Sequence, residues 1–107
     1  MSLAVVIFDK DSRLCEELAL EPYEHFKLMR KLDGRDFPML CRLSSYFDDT
    51  MYEPHELPQL IREVRQLLKE ASPDDPIAPL LKSLRSMAKS AYERDTNMNV
   101  IGDYAYP

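Results

Sequence analysis

Two carboxylates that stand one residue apart, Asp9 and Asp11, follow the first apolar run of the chain. In "AVVIFDKDSRL", residues 4 to 14, the run is rich in β-branched and aromatic residues and ends at Phe8, which predicts a short strand. Acids at the end of a strand can carry out phosphoryl transfer, in which one attacks phosphorus while a bound Mg²⁺ neutralises charge. Asp9 and Asp11 are therefore the candidate residues of a metal-dependent phosphohydrolase.

The same stretch resembles the first motif of the haloacid-dehalogenase phosphatases, and "NVIGD", residues 99 to 103, resembles their late strand that ends in Gly-Asp. The resemblance implies that Asp9 attacks, that Asp11 shuttles a proton and that the late strand helps to hold magnesium. A fold of that kind needs several parallel strands joined by crossovers. Between the two motifs the sequence predicts helices and one loop, so we expect Asp9 and Asp11 to be solvated acids. The phosphohydrolase stays as the alternative.

The histidines and cysteines lack the spacing of a known site. His25 and His55 lie far apart in the sequence, and neither belongs to an HExxH motif. Cys15 and Cys41 have no CxxC spacing and are expected to be reduced thiols. We therefore expect no catalytic residue, no metal ligand and no cofactor.

Hydrophobic periodicity predicts three helices, at about 22–32, 57–71 and 77–94. In each, apolar residues recur at the three- and four-residue spacing of an amphipathic helix. The last two are joined by "SPDDP" and should pack as an antiparallel pair.

Short strands near both ends of the chain, at 3–8 and 98–101, should pair with each other. The stretch "RLCEELALEP" is ambiguous, and residues 37–56 are expected to form an ordered loop or an extended segment. We predict a single domain, residues 1–107, of the α+β class, predominantly helical with a small sheet from the N- and C-terminal strands.

The composition is typical of a soluble acidic protein. The chain is 45% apolar and 31% charged, with a formal net charge of -5, which favours a globular fold and disfavours direct nucleic acid binding. No apolar run approaches the roughly 20 residues of a membrane helix, and no targeting segment precedes the first strand. We therefore expect a cytoplasmic protein that does not bind membranes.

An acidic and aromatic stretch, "SSYFDDTMYEPHE", stands before the second helix. Aromatic side chains provide contact area at low entropic cost, and acids that face a basic partner speed association. We predict a partner-binding surface made of Tyr46, Asp48, Asp49, Tyr52, Glu53 and Glu56. The alternatives are that the rings belong to the core and that Asp48 and Asp49 cap the helix or hold a cation.

From Phe37 to Val64, and again at "NVIGD", the chain resembles a group of small acidic bacterial proteins, some of which are immunity partners of toxins. Asp49, Thr50, Gly102 and Asp103 are the signature positions of the resemblance. It implies a non-enzymatic protein that covers the basic cleft of a toxin domain, where its acids imitate a nucleic acid backbone.

Two further hypotheses concern association. The last predicted helix carries Lys82, Arg85 and Lys89, a basic face that would suit a regulatory adaptor. The chain could also pair as a homodimer.

Overall fold

The sheet is built from four strands, β1 (Ser2–Phe8), β2 (Leu14–Leu20), β3 (Thr50–Tyr52) and β4 (Met98–Tyr104). The computed structural model describes residues 2–44 and 49–104, without the side chains of residues 2, 103 and 104. Within these residues the strand order is β2-β1-β4-β3, and every neighbouring pair is antiparallel. The central pair, β1 and β4, therefore comes from the two ends of the described chain.

Three α-helices are described: α1 (Pro22–Leu32), α2 (Leu57–Glu70) and α3 (Ala78–Glu93). α1 and α3 contact the sheet, and α2 packs against α3. Two short 3-10 helices, Leu40–Leu43 and Pro54–Glu56, lie in the connection between α1 and α2. All three helices predicted from periodicity are present, and the predicted α+β class is confirmed.

Local sequence signals set where these helices begin and end. At the start of α1, Glu21 and Glu24 form a capping box around Pro22, which satisfies backbone N–H groups that a first turn leaves without partners. After Leu32, Gly34 takes a positive φ of 72°, a conformation that glycine adopts without steric cost. A second capping box, between Glu53 and Glu56, starts the 3-10 turn that leads into α2.

The core lies between the sheet and the helices. Alternate residues of β1 face the helices and pair across the sheet with apolar residues of β4, as in Val5 with Val100 and Ile7 with Met98. The residues on the other side of β1, Ala4 and Val6, are also inaccessible to solvent. Because both faces of β1 are buried, its sequence is a continuous apolar run instead of an alternation of apolar and polar residues.

Two strands were not predicted from the sequence. β2 was ambiguous because "LCEELAL" combines good helix formers with no turn signal, yet it pairs with β1 so that Leu18 and Leu20 lie opposite Val5 and Leu3. β3 has only three residues and pairs with β4. Both are edge strands: β2 forms a hairpin with the preceding β1, whereas β3 pairs with β4, which is distant along the chain.

Candidate functional site

An acidic edge, formed by Asp49, Met51 and Glu53, runs along β3. Met51 is the middle residue of β3 and points away from the side taken by Thr50 and Tyr52, while Asp49 and Glu53 directly precede and follow the strand. Asp49 and Glu53 are exposed, and Met51 keeps 41% of its surface accessible. Of the predicted partner-binding residues, Asp49 and Glu53 therefore lie on a common surface, whereas Tyr46 and Asp48 lie outside the described residues.

The acidic edge is held in place by hydrogen bonds within the chain. Asp49 Oδ1 accepts a hydrogen bond of 2.8 Å from the backbone N–H of Gly102 in β4. The Glu53 backbone N–H donates to Glu56 Oε1 at 3.0 Å, and His55 Nδ1 lies 3.4 Å from Glu53 Oε2. Both acids thus have a defined position before any partner arrives.

A shallow groove of about 400 Å³ adjoins the acidic edge. Its lining combines apolar and polar residues of β1, β3 and β4 and includes one acid: Phe8, Asp49, Thr50, Met51, Asn99, Val100 and Ile101. Apolar side chains next to an exposed carboxylate match the pattern of protein interfaces, in which an apolar centre is surrounded by a charged rim.

Tyr52, predicted to lie on the partner-binding surface, is instead fully buried. Its hydroxyl donates a hydrogen bond of 2.6 Å to the carbonyl of Met39, and the guanidinium of Arg42 lies 5.4 Å from the ring centre. Burial raises the pKa of the Tyr52 hydroxyl well above its ordinary value. The prediction for Tyr52 is wrong because the strand period turns this ring into the core.

Glu56, another predicted binding residue, is mostly engaged inside the chain. Its side chain is 15% exposed and forms an ion pair with Arg42. The hydrogen bond from Arg42 and the backbone N–H of Glu53 lower the pKa of Glu56 to about 2. Arg42 also donates to the carbonyl of Met51 at 3.4 Å, which places a charged side chain along the outer side of β3 and protects this edge from pairing with other strands.

Asp9, the predicted nucleophile of the phosphohydrolase alternative, closes the turn between β1 and β2. Its Oδ1 accepts hydrogen bonds from the backbone N–H groups of Asp11 (2.8 Å) and Arg13 (2.9 Å). Its own N–H donates to the Arg13 carbonyl at 2.8 Å, and Ser12 takes a φ of 61° within the turn. Asp9 thus acts as a side-chain cap of a hairpin, and Asp11 is exposed beside it.

The part of the chain that the structure describes contains no group of three or more His, Cys, Asp or Glu side chains that could hold a metal ion. The side chain of Asp103, from the "NVIGD" motif, lies outside the described set. Among the described helices, none has the length and apolar character needed to cross a membrane.

Glu63 is a buried acid of α2 that the sequence did not single out as a functional residue. Its carboxylate accepts hydrogen bonds from the backbone N–H groups of Met39 (3.0 Å) and Leu40 (2.9 Å) and from Gln59 Nε2 (3.0 Å). It therefore anchors the start of the first 3-10 helix to α2. The available signal was its position three residues after Leu60 and four before Leu67, on the buried stripe of the helix.

A second charged surface lies on the helices. Arg65 of α2 and Arg85 and Lys89 of α3 line one groove, together with Ile61 and Ser86. The predicted basic face of the last helix therefore includes two groove residues, Arg85 and Lys89, while Lys82 is exposed and does not line it.

No family model, curated protein or solved structure matches the chain. Its function is therefore inferred from its own residues.

Proposed function

We propose that the chain is a non-enzymatic protein-binding module of the immunity type, which neutralises a toxin by binding a basic surface of that toxin. The observation that supports the proposal is the acidic edge: Met51 is exposed within an edge strand, and the exposed acids Asp49 and Glu53 stand at its two ends. We expect it to act in the cytoplasm, where a toxin that cuts nucleic acid would do its damage.

The charge of the edge suits a basic partner. Asp49 and Glu53 have no Lys or Arg ion-pair partner among the described residues, and the whole chain has a formal net charge of -5. Acids arranged in this way steer a positively charged cleft toward the surface and fix the register of the complex. A basic active-site cleft that normally holds phosphates offers the complementary pattern.

The rigidity of the edge lowers the entropic cost of binding. Asp49 is held by Gly102, and the carbonyl of Met51 is held by Arg42. Surfaces that are ordered before association lose less conformational freedom when the complex forms. Met51 and the adjoining groove add apolar area that the partner can bury, which supports affinity where the acids support specificity.

Co-expression tests the proposal directly. The product of the flanking gene is expressed with and without this protein, and growth and pull-down are measured. We expect the neighbour to be toxic alone, to be bound by this chain and to be harmless in its presence. A neighbour that is neither toxic nor bound would refute the immunity function.

Matched charge variants test the surface itself. In Asp49→Asn/Glu53→Gln, both acids are neutralised while their side chains keep an acceptor oxygen, so the fold is retained and rescue should weaken. The control, Asp36→Asn/Glu93→Gln, neutralises two exposed acids on other elements and should rescue growth fully. Equal rescue of growth by both variants would exclude the acidic edge as the toxin-binding surface.

A further inference from the structure

A groove lined by residues of α2 and α3 carries a cluster of cations. It has a volume of about 590 Å³ and is lined by Ile61, Arg65, Arg85, Ser86 and Lys89. Three of these five side chains are cations, and none is an acid. In a chain with a formal net charge of -5, such a concentration of positive charge needs a physical explanation.

The cations of this groove are not neutralised within the described chain. None of Arg65, Arg85 and Lys89 takes part in an ion pair with a described residue. Two acids of the adjoining helix are engaged elsewhere, since Glu63 accepts hydrogen bonds from Met39 and Leu40 and Glu70 pairs with Arg35. The three cations that line the groove are therefore available to a bound anion.

The groove places three like charges on two neighbouring helices. Like charges brought together from two neighbouring helices repel each other, and only solvent and salt reduce that repulsion. An anion seated between the helices would convert the repulsion into attraction. Groups that serve binding are often retained at a cost to the stability of the unbound fold.

We propose that the groove binds the diphosphate group of a small molecule. Each guanidinium can donate two parallel hydrogen bonds to phosphate oxygens, Lys89 adds a third positive charge, and the Ser86 hydroxyl is a further donor. A single phosphate ester carries only roughly 1.5 to 2 negative charges at neutral pH, so three cations match two joined phosphoryl groups better. The groove volume lies in the range of small-ligand sites, and Ile61 offers an apolar wall.

The diphosphate site is separate from the acidic edge and goes beyond the proposed function. The groove belongs to α2 and α3, whereas the edge belongs to β3. A variant that no longer binds diphosphate should still bind the toxin. A variant that no longer binds the toxin should still bind diphosphate.

Calorimetric titration with sodium pyrophosphate at low ionic strength tests the site. Inorganic phosphate and sulfate are titrated at the same ionic strength, and adenosine diphosphate shows whether an attached organic group is accepted. The variant Arg65→Gln/Arg85→Gln removes two cations from the groove. The control Lys10→Gln/Arg13→Gln removes two cations from the exposed turn between β1 and β2.

We expect pyrophosphate to bind the natural protein more tightly than either single anion. The groove variant should lose at least about tenfold in affinity, because two charge-assisted interactions disappear. Its thermal midpoint without ligand should stay equal or rise, because repulsion is relieved, so unfolding cannot explain the loss. The control should bind pyrophosphate normally.

Three results would overturn the proposal: no heat of binding with the natural protein, equal losses in both variants, or sulfate binding as tightly as pyrophosphate. Adenosine diphosphate binding at least as tightly as pyrophosphate would identify a diphosphate carried on an organic group. If only pyrophosphate binds, the free inorganic ion is the ligand.

Discussion

Replacing the buried carboxylate of Glu63 by alanine should destabilise the fold strongly. Three donors lose a charged acceptor, and two of them are the backbone N–H groups of Met39 and Leu40 at the start of a 3-10 helix. A hydrogen bond to a charged group contributes about 1.5 to 3 kcal/mol. The third donor, Gln59, is partly exposed and can turn to water. Two hydrogen bonds lost at about 1.5 kcal/mol each lower the free energy of unfolding of Glu63→Ala by about 3 kcal/mol.

Urea denaturation measures this loss, and the thermal midpoint should fall by roughly 12 °C for a domain of this size. Glu63→Gln keeps the oxygen that accepts from Met39 and Leu40, so it should lose only about 1 kcal/mol. The control on the same helix, Lys69→Ala, changes an exposed side chain and should stay within about 0.5 kcal/mol of the natural protein. A loss below about 1 kcal/mol for Glu63→Ala, or one equal to that of Lys69→Ala, would refute the anchoring role.

Three further predictions concern residues that the sequence analysis placed in sites. Tyr52→Phe removes the hydroxyl that donates to the Met39 carbonyl and should cost about 1 kcal/mol in urea denaturation; an unchanged midpoint would show that this bond contributes nothing. Asp9→Ala should cost about 1 kcal/mol because two turn N–H groups lose their acceptor, whereas Asp11→Ala should be nearly neutral, and equal losses would contradict the turn assignment. The pKa of Glu56 is lowered from 4.5 to about 2, so its contribution to stability is present above pH 4.5 and is lost as the pH falls toward 2. The urea midpoint of Glu56→Gln should therefore decline less steeply over that window, and parallel curves would refute the role of the Arg42 pair.

Helices were predictable because their signals are local. Pro22 and Pro58 occupy first turns, apolar residues recur at helical spacing, and Gly34 follows the end of α1. The edge strands were harder to predict, because each depends on pairing. β2 joins the preceding β1 through a turn, residues 9–13, that lacks an Asn-Gly or Asp-Gly hairpin signal, whereas β3 joins β4, which is distant along the chain. Short-range propensity carries no information on such partners.

The candidate site was predictable in position but not in detail. The acidic stretch before α2 does present exposed acids, Asp49 and Glu53, but composition alone could not tell which side of β3 each residue takes. The three-residue strand turns Tyr52 inward, and Arg42 engages Glu56. The role of Glu63 could not be predicted, because an acid on a buried helix stripe is acceptable only when donors from another segment meet it.

The role of the acidic edge in partner binding is measured by the affinity of the purified flanking-gene product for charge-reversed forms of this protein. Isothermal calorimetry compares the natural chain with Asp49→Lys/Glu53→Lys and with the control Asp36→Lys/Glu93→Lys, after circular dichroism has shown that each is folded. Like charges at an interface cost several kcal/mol, so charge reversal at the acidic edge should abolish binding while the control retains it. Equal affinity of the two variants for the partner would show that the acidic edge is not the binding surface.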